Sequence, residues 1–141
     1  MIEEKIKDIF SSDLHKVVFL SRDGHPGLGI AKSFNDEYNI YQKIKDNYDV
    51  FRIIKHNIDV ILIDKIICIF HKDSFLQRVN YQELRKSFKV LRNFCEENKI
   101  DSITMSKVGC GMDRLKWDNV RDILSEEFSD SDIYIEVCSL N

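Results

Sequence analysis

Two glycine-bearing segments and two charged side chains carry the chemistry this sequence offers. The first segment is Gly27-Leu28-Gly29-Ile30, and the second is Val108-Gly109-Cys110-Gly111-Met112-Asp113. Each stands between an apolar, strand-like run and a helical pattern. Glycine in such a place lets backbone N–H groups approach a phosphate, and a following helix N-terminus adds partial positive charge. One loop alone reads equally well as a tight connection, whereas two in one small domain suit a diphosphate held from both sides. Neither continues into Gly-Lys-Ser/Thr and no Gly-x-Gly-x-x-Gly occurs, so a P-loop NTPase and a dinucleotide fingerprint are both excluded.

The charged pair is Lys72 and Asp113. A lysine amine is a nucleophile only when neutral, which requires desolvation or a suitable neighbour. A carboxylate within reach of a sugar hydroxyl can relay protons. By residue type alone Lys72 also fits a solvated position after a strand. Asp113 equally fits a helix cap, or a partner for Arg114 or Arg121. Cys110 offers a thiol, but no His–Asp arrangement to activate it is legible, and it is assigned to the loop backbone. His15, His25, His56 and His71 lie far apart without carboxylates or thiols at ligand spacing, so no metal site is expected. His71 adjoins Lys72 and could tune it.

These groups need a scaffold that presents loops at strand ends. Residues 17–20 (Val-Val-Phe-Leu) form a continuous apolar run of the kind a strand covered on both faces requires. A compact loop at 22–27 holds the single proline, and a helix is expected to open at the first glycine segment and run to about Tyr38. Residues 39–57 read as mostly helical, with Tyr41, Ile44, Tyr48, Phe51 and 54–56 near helical spacing. Residues 60–63 and 66–70 read as two strands around a polar turn at Asp64-Lys65. Asn80 is a plausible cap for a helix over 81–98, whose Leu84, Phe88, Leu91 and Cys95 form one apolar stripe. A short strand at 102–105 leads into the second glycine segment. A helix from about Leu115 to Phe128 follows, with Trp117 read as core, and the chain closes on a strand at 133–137. Alternating strands and helices of this kind predict an α/β sandwich, whose ligands sit outside the carboxyl ends of strands.

Composition narrows the classes. The 141 residues allow one domain with a real core, 1–141, and a 43% apolar, 32% charged make-up is that of an ordinary globular chain. A net charge of -3 and a pI near 5.8 argue against a general nucleic-acid binder, which needs a basic footprint. No apolar run approaches the roughly 20 residues of a membrane span. The charged N-terminus lacks a signal-peptide pattern, and Cys68, Cys95, Cys110 and Cys138 show no paired spacing. Reduced thiols, a cytoplasmic location and a monomer are therefore the expectations.

The segment Val-Gly-Cys-Gly-Met-Asp-Arg-Leu-Lys-Trp at 108–117 resembles the signature of the macrodomain subfamily that contains the terminal ADP-ribose protein glycohydrolases. Residues 21–31, ending Gly-Leu-Gly-Ile-Ala, are similar to that subfamily's Gly-Ala-Gly-Ile-Ala loop with its serine six residues earlier. Lys72 stands nine residues before Tyr81 and 41 before Asp113, the spacing of the subfamily's nucleophilic lysine. The resemblance runs from Asp8 to Leu140. It implies a three-layer α/β/α macrodomain with a mixed, mostly parallel central sheet.

It further implies an ADP-ribosyl hydrolase without a cofactor, acting on acidic side chains of ADP-ribosylated protein and on O-acetyl-ADP-ribose. Lys72 would attack C1″ of the distal ribose to form a covalent intermediate, with Asp113 as acid/base. ADP-ribose would be bound by Asp8, Ile9, Ser21, Gly27, Leu28, Gly29, Ile30, Val108, Gly109, Cys110, Gly111, Met112 and Leu140. Two departures stand out. Lys7 replaces the glycine that usually precedes Asp8, and Cys138 stands where an aromatic residue borders the adenine. The alternatives are removal of ADP-ribose from a thymidine base of DNA, with Arg22, Lys107, Arg114 and Lys116 as candidate strand contacts, a phosphatase acting on ADP-ribose-1″-phosphate, and a non-catalytic module that reads ADP-ribose.

Overall fold

The computed structural model describes residues 1–27, 29–47, 57–111 and 113–140. Its six strands are β1 (Ile2–Ile6), β2 (His15–Ser21), β3 (Asp59–Ile63), β4 (Ile66–Lys72), β5 (Ser102–Ser106) and β6 (Tyr134–Ser139). Four helices accompany them among the described residues: α1 (Ile30–Tyr38), α2 (Ile40–Asn47), α3 (Tyr81–Glu97) and α4 (Trp117–Glu127), with one 3-10 turn at Ile9–Ser11. The sheet order is β1-β6-β5-β2-β4-β3, antiparallel only between β3 and β4. This is the expected mixed, mostly parallel sheet between two helical layers.

The layers follow from the apolar patterning. On one face, the stripe Leu84, Phe88, Leu91 and Cys95 of α3 is fully buried, and Val120 and Leu124 of α4 join it. They pack against Val17, Ile67, Ile69, Ile103, Met105, Ile135 and Val137. On the other face Phe34, Ile40 and Ile44 of α1 and α2 cover Val18, Leu20, Ile66, Cys68 and Phe70. Every residue of β4 up to His71 is buried, as a central strand covered on both faces demands. Among the described residues no helix is long and apolar enough to cross a membrane.

Several element boundaries differ from the sequence expectations. The first helix starts at Ile30 rather than at Gly27, because Gly29 takes the cap position. Helix α2 covers only part of 39–57, and the expected helical spacing at Tyr48, Phe51 and 54–56 lies outside the described residues. The last helix begins at Trp117, two residues later than expected, because Lys116 takes the cap position with an extended backbone (φ -86°, ψ 127°). Strand β1 was not expected at all. Its sequence, Ile-Glu-Glu-Lys-Ile, is exposed at every position but the first, so no apolar alternation marks it. Charges hold this edge instead: Lys5 Nζ lies 3.2 Å from Glu136 and Glu4 accepts from Trp117 Nε1 at 2.7 Å.

Candidate functional site

The site originates in how briefly two strands pair. Strands β2 and β5 are in register only at His15 with Ile103 and Lys16 with Thr104, and then diverge. From β2 the chain turns through α1 and α2 over one face, while from β5 it turns through α4 over the other. The gap therefore falls at a topological switch point, outside the carboxyl ends of parallel strands. A cleft opens there, walled by residues 17–21 of β2, the first glycine loop (Gly27, Gly29, Ile30), and the second (Ser106, Lys107, Val108, Gly109, Gly111). Lys72 and Asp113 line the same cleft.

Lys72 is the last residue of β4 and pairs with Ser21 across a bulge that leaves His71 as the extra residue. Its amine lies 3.6 Å from Asp113 Oδ1, and both side chains are nearly buried, 12% and 10% exposed. Asp113 Oδ1 also accepts the Val79 N–H at 2.9 Å, just ahead of the Asn80–Glu83 capping box that opens α3. The carboxylate thus faces the positive end of a 17-residue helix. Of the readings open for Asp113, the structure has the pair with Lys72, not a cap of α4 nor a partner of Arg114 or Arg121.

The remaining sequence candidates separate into groups. Ser21, Gly27, Gly29, Ile30, Val108, Gly109 and Gly111 share the cleft with the charged pair, whereas Leu28 and Met112 lie outside the described residues. The Ser21 hydroxyl is already engaged, donating to Asp23 Oδ1 at 2.7 Å. Cys110 is half-buried, turns its thiol toward the Val108 carbonyl at 3.6 Å, and does not line the cleft. Asp8, Ile9 and Leu140 stand at the ends of β1 and β6, away from the cleft lining but on the same edge of the sheet. Asp8 caps the 3-10 turn by accepting the Phe10 N–H at 2.9 Å, Ile9 is buried, and Leu140 is 75% exposed. The sheet order therefore ranks the candidates along one edge: Asp8 and Leu140, the second glycine loop, the first, then Lys72. Four strand spacings separate the extremes, about 19 Å.

Glycines 29 and 111 are explained by no steric demand of the fold. Neither has a positive φ, and nothing lies within 4 Å of where a Cβ would sit. Gly109 differs, with φ at +81° and Leu115 Cδ1 only 3.0 Å from a would-be Cβ. One glycine shapes the second loop, and the other two keep the cleft open.

Several residues that sequence reasoning passed over hold this site. Asp23 accepts from the Ser21 hydroxyl, the His25 N–H (3.0 Å) and the Phe75 N–H (3.0 Å), tying the first loop to the turn after Lys72. Burial would raise its carboxyl, but these three bonds outweigh it and the group sits below its ordinary value. Tyr41 donates to the Ser21 carbonyl at 2.9 Å, and burial pushes its phenol up to about 12. Tyr81 accepts from the Lys116 N–H and Asn119, joining the starts of α3 and α4 beneath the second loop. Arg22, a candidate strand contact by sequence, is instead 8% exposed and bridges Asp59 (2.8 Å) and Asp73 (3.4 Å), while its N–H donates to the Lys72 carbonyl. His71 is buried against Phe19, and burial first, then the Lys72 and Arg22 cations, push its imidazole down to about 3. It stays neutral beside the amine.

Comparison with known proteins adds three findings. The ADP-ribose glycohydrolase OARD1 of Bos taurus is 36% identical over 75 residues, 53% of this chain and 49% of the relative. The chain thus spans about half the length of the curated relatives it matches. The macrodomain of Mycobacterium tuberculosis DarG superposes with a TM-score of 0.78 at 20% identity, covering 98% and 96% of the two chains. Thermosipho africanus DarTG, solved in complex with ADP-ribose, superposes with a TM-score of 0.74 at 14% identity, over 97% of this chain and 41% of the other. No family model matches the chain. The fold is that of the macrodomains, and within it the sequence resembles an ADP-ribose glycohydrolase over roughly its half.

Proposed function

We propose that this macrodomain-fold chain is an ADP-ribosyl hydrolase that removes mono-ADP-ribose from acidic side chains, with Lys72 as nucleophile and Asp113 as acid/base. The observation that carries the reading is the 3.6 Å pair of amine and carboxylate inside the cleft that both glycine loops border. A surface lysine could stand anywhere. One nearly buried, facing a carboxylate that a helix N-terminus holds, has a chemical use.

ADP-ribose would lie along the carboxyl edge of the sheet. Its pyrophosphate would meet the N–H groups around Gly29 and Gly111, where the absence of side chains leaves room. Its adenosine would extend toward Asp8 and Leu140, and its distal ribose toward Lys72. The ammonium of Lys72 gives its proton to Asp113, and the freed amine attacks C1″. The C1″–oxygen bond breaks and the acceptor leaves as a carboxylate with the bonding pair. Asp113 releases the proton it took from Lys72 to solvent, then takes a proton from the water that displaces the lysine and returns it to the freed amine. The sum is one ester and one water consumed, with ADP-ribose, a free carboxylate and one proton formed. Two comparisons support the class: the match to an ADP-ribose glycohydrolase and the fold shared with a protein solved with ADP-ribose.

The test is a side-by-side assay of the wild-type chain on mono-ADP-ribosylated glutamate peptide, ADP-ribosylated thymidine in single-stranded DNA, and ADP-ribose-1″-phosphate. Release of ADP-ribose from the peptide, faster than from the other two, is expected. Preference for either other substrate replaces the acidic-side-chain assignment, and binding of ADP-ribose without any turnover makes the chain a non-catalytic module.

A further inference from the structure

In the cleft that Lys72 and Asp113 line stands a histidine fixed through its backbone N–H and one ring nitrogen. His25 lies in the loop between β2 and α1 and lines the cleft. Its backbone N–H donates to Asp23 Oδ1 at 3.0 Å, and its carbonyl lies 3.1 Å from the Ser21 hydroxyl, the longer of the two contacts that share that one proton. Its Nδ1 accepts the Gly27 N–H at 3.1 Å. Its ring lies flat on Phe75, with centroids 3.7 Å apart and planes within 9°. Phe75 is fixed in turn, its N–H bound to the second oxygen of Asp23 at 3.0 Å.

These contacts settle both the orientation and the tautomer of the imidazole. With Nδ1 accepting, the proton of the neutral ring is on Nε2. Among the described residues no protein group accepts from Nε2, and the residue is exposed. An oriented N–H donor therefore stands at the mouth of the cleft. It is carried by the loop that starts at Ser21, the register partner of Lys72, and by the turn that follows Lys72. Both the loop and the turn border the cleft that Lys72 lines, His25 and Phe75 included.

We propose that His25 is a further catalytic residue, donating a hydrogen bond from Nε2 to the acceptor oxygen as it departs. The inference rests on the hydrolase reading above. As the C1″–oxygen bond breaks, negative charge collects on the acceptor oxygen. A preorganised donor there stabilises the transition state more than the ground state, because the charge is not yet present in the ester. No proton is transferred: the acceptor leaves as a carboxylate and the ring keeps its hydrogen. The stack on Phe75 spares the ring any reorientation during the reaction.

The test compares wild type, His25→Phe and His25→Gln on mono-ADP-ribosylated glutamate peptide at saturation, with ADP-ribose affinity measured by calorimetry. Phenylalanine keeps the stack and removes the Nε2 donor together with the Nδ1 acceptor of the Gly27 N–H, so kcat should fall roughly tenfold to a hundredfold, well beyond any weakening of Kd for ADP-ribose. Glutamine restores a donor and should recover part of the lost rate. A His25→Phe protein as fast as wild type overturns the assignment. So does a loss of ADP-ribose affinity equal to the loss of rate, or a glutamine variant no faster than the phenylalanine one. Wild-type protein that binds ADP-ribose but releases none from any substrate removes the hydrolase reading itself, and His25 falls with it.

Discussion

Replacing Lys72 by methionine separates its chemistry from its structural contribution. Methionine keeps most of the aliphatic stem, so little cavity is left, and only the ammonium disappears. Asp113 then keeps the Val79 N–H as a partner and loses the cation 3.6 Å away. Orphaning one partner of a fully buried ion pair costs about 3–5 kcal/mol. Here the pair lines an open cleft and the carboxylate retains a hydrogen bond, so a loss on the order of 1–2 kcal/mol is expected. In a chain of this size that lowers Tm by about 3–6 °C. In the proposed binding mode the pyrophosphate is gripped by backbone N–H groups of the two glycine loops rather than by Lys72, so Kd for ADP-ribose should change less than about threefold. Turnover should fall roughly 1,000-fold or more, about 4 kcal/mol of barrier, because a covalent path is lost rather than weakened. A thermal melt, calorimetry with ADP-ribose, and chromatographic release of ADP-ribose from glutamate-modified peptide measure the three quantities. Turnover within tenfold of wild type, at unchanged affinity, refutes Lys72 as nucleophile. A fall in rate matched by an equal fall in affinity refutes it differently, by making Lys72 a binding residue.

Two further outcomes are expected. On the proposed mechanism Asp113→Ala removes both the group that frees the Lys72 amine and the group that activates water, so release of ADP-ribose should slow sharply and any adduct that forms should persist, visible by intact mass. If no adduct forms under any condition, direct attack by water becomes the better account. The second concerns Glu136, buried in β6. Burial would raise its carboxyl, but hydrogen bonds from Ser12, Thr104, Lys5 and Cys138 outweigh it and hold the group at about 2, against an ordinary 4.5. Between those values the unfolded chain binds the proton and the folded one does not. Stability present above about pH 4.5 is therefore lost as pH falls toward 2, up to about 3 kcal/mol. Glu136→Gln should flatten this acid dependence in denaturant titrations, and parallel wild-type and variant curves from pH 5 down would contradict the assignment.

The order of elements was largely legible because the buried strands and helices write their periodicity into the sequence. Residues 17–20 and 66–70 are continuous apolar runs, and α3 carries its stripe at one- and two-turn intervals. Strand β1 was not legible. An edge strand on a polar end of the sheet is held by backbone pairing and ion pairs, and neither leaves an alternating pattern. The pairing of Lys72 with Asp113 across 41 residues was suggested only by resemblance; propensity and periodicity are silent about which loop ends meet. His25 read as one of four scattered histidines. What distinguishes it is an Nδ1 committed to Gly27 and a ring laid on Phe75, and the stack joins residues 50 apart in the chain.

The glycines carry this difference one step further. In the sequence, Gly29, Gly109 and Gly111 are the same residue in two similar motifs. In the fold they divide by cause. Gly109 adopts a left-handed backbone under Leu115 and Leu84, so folding alone would retain it. Gly29 and Gly111 are under no such constraint, and both border the crevice that forms because β2 and β5 part after two paired residues. A fold that needed only a tight turn would accept a side chain at either position. Empty space facing empty space across a gap between parallel strands is what a ligand gripped by backbone requires.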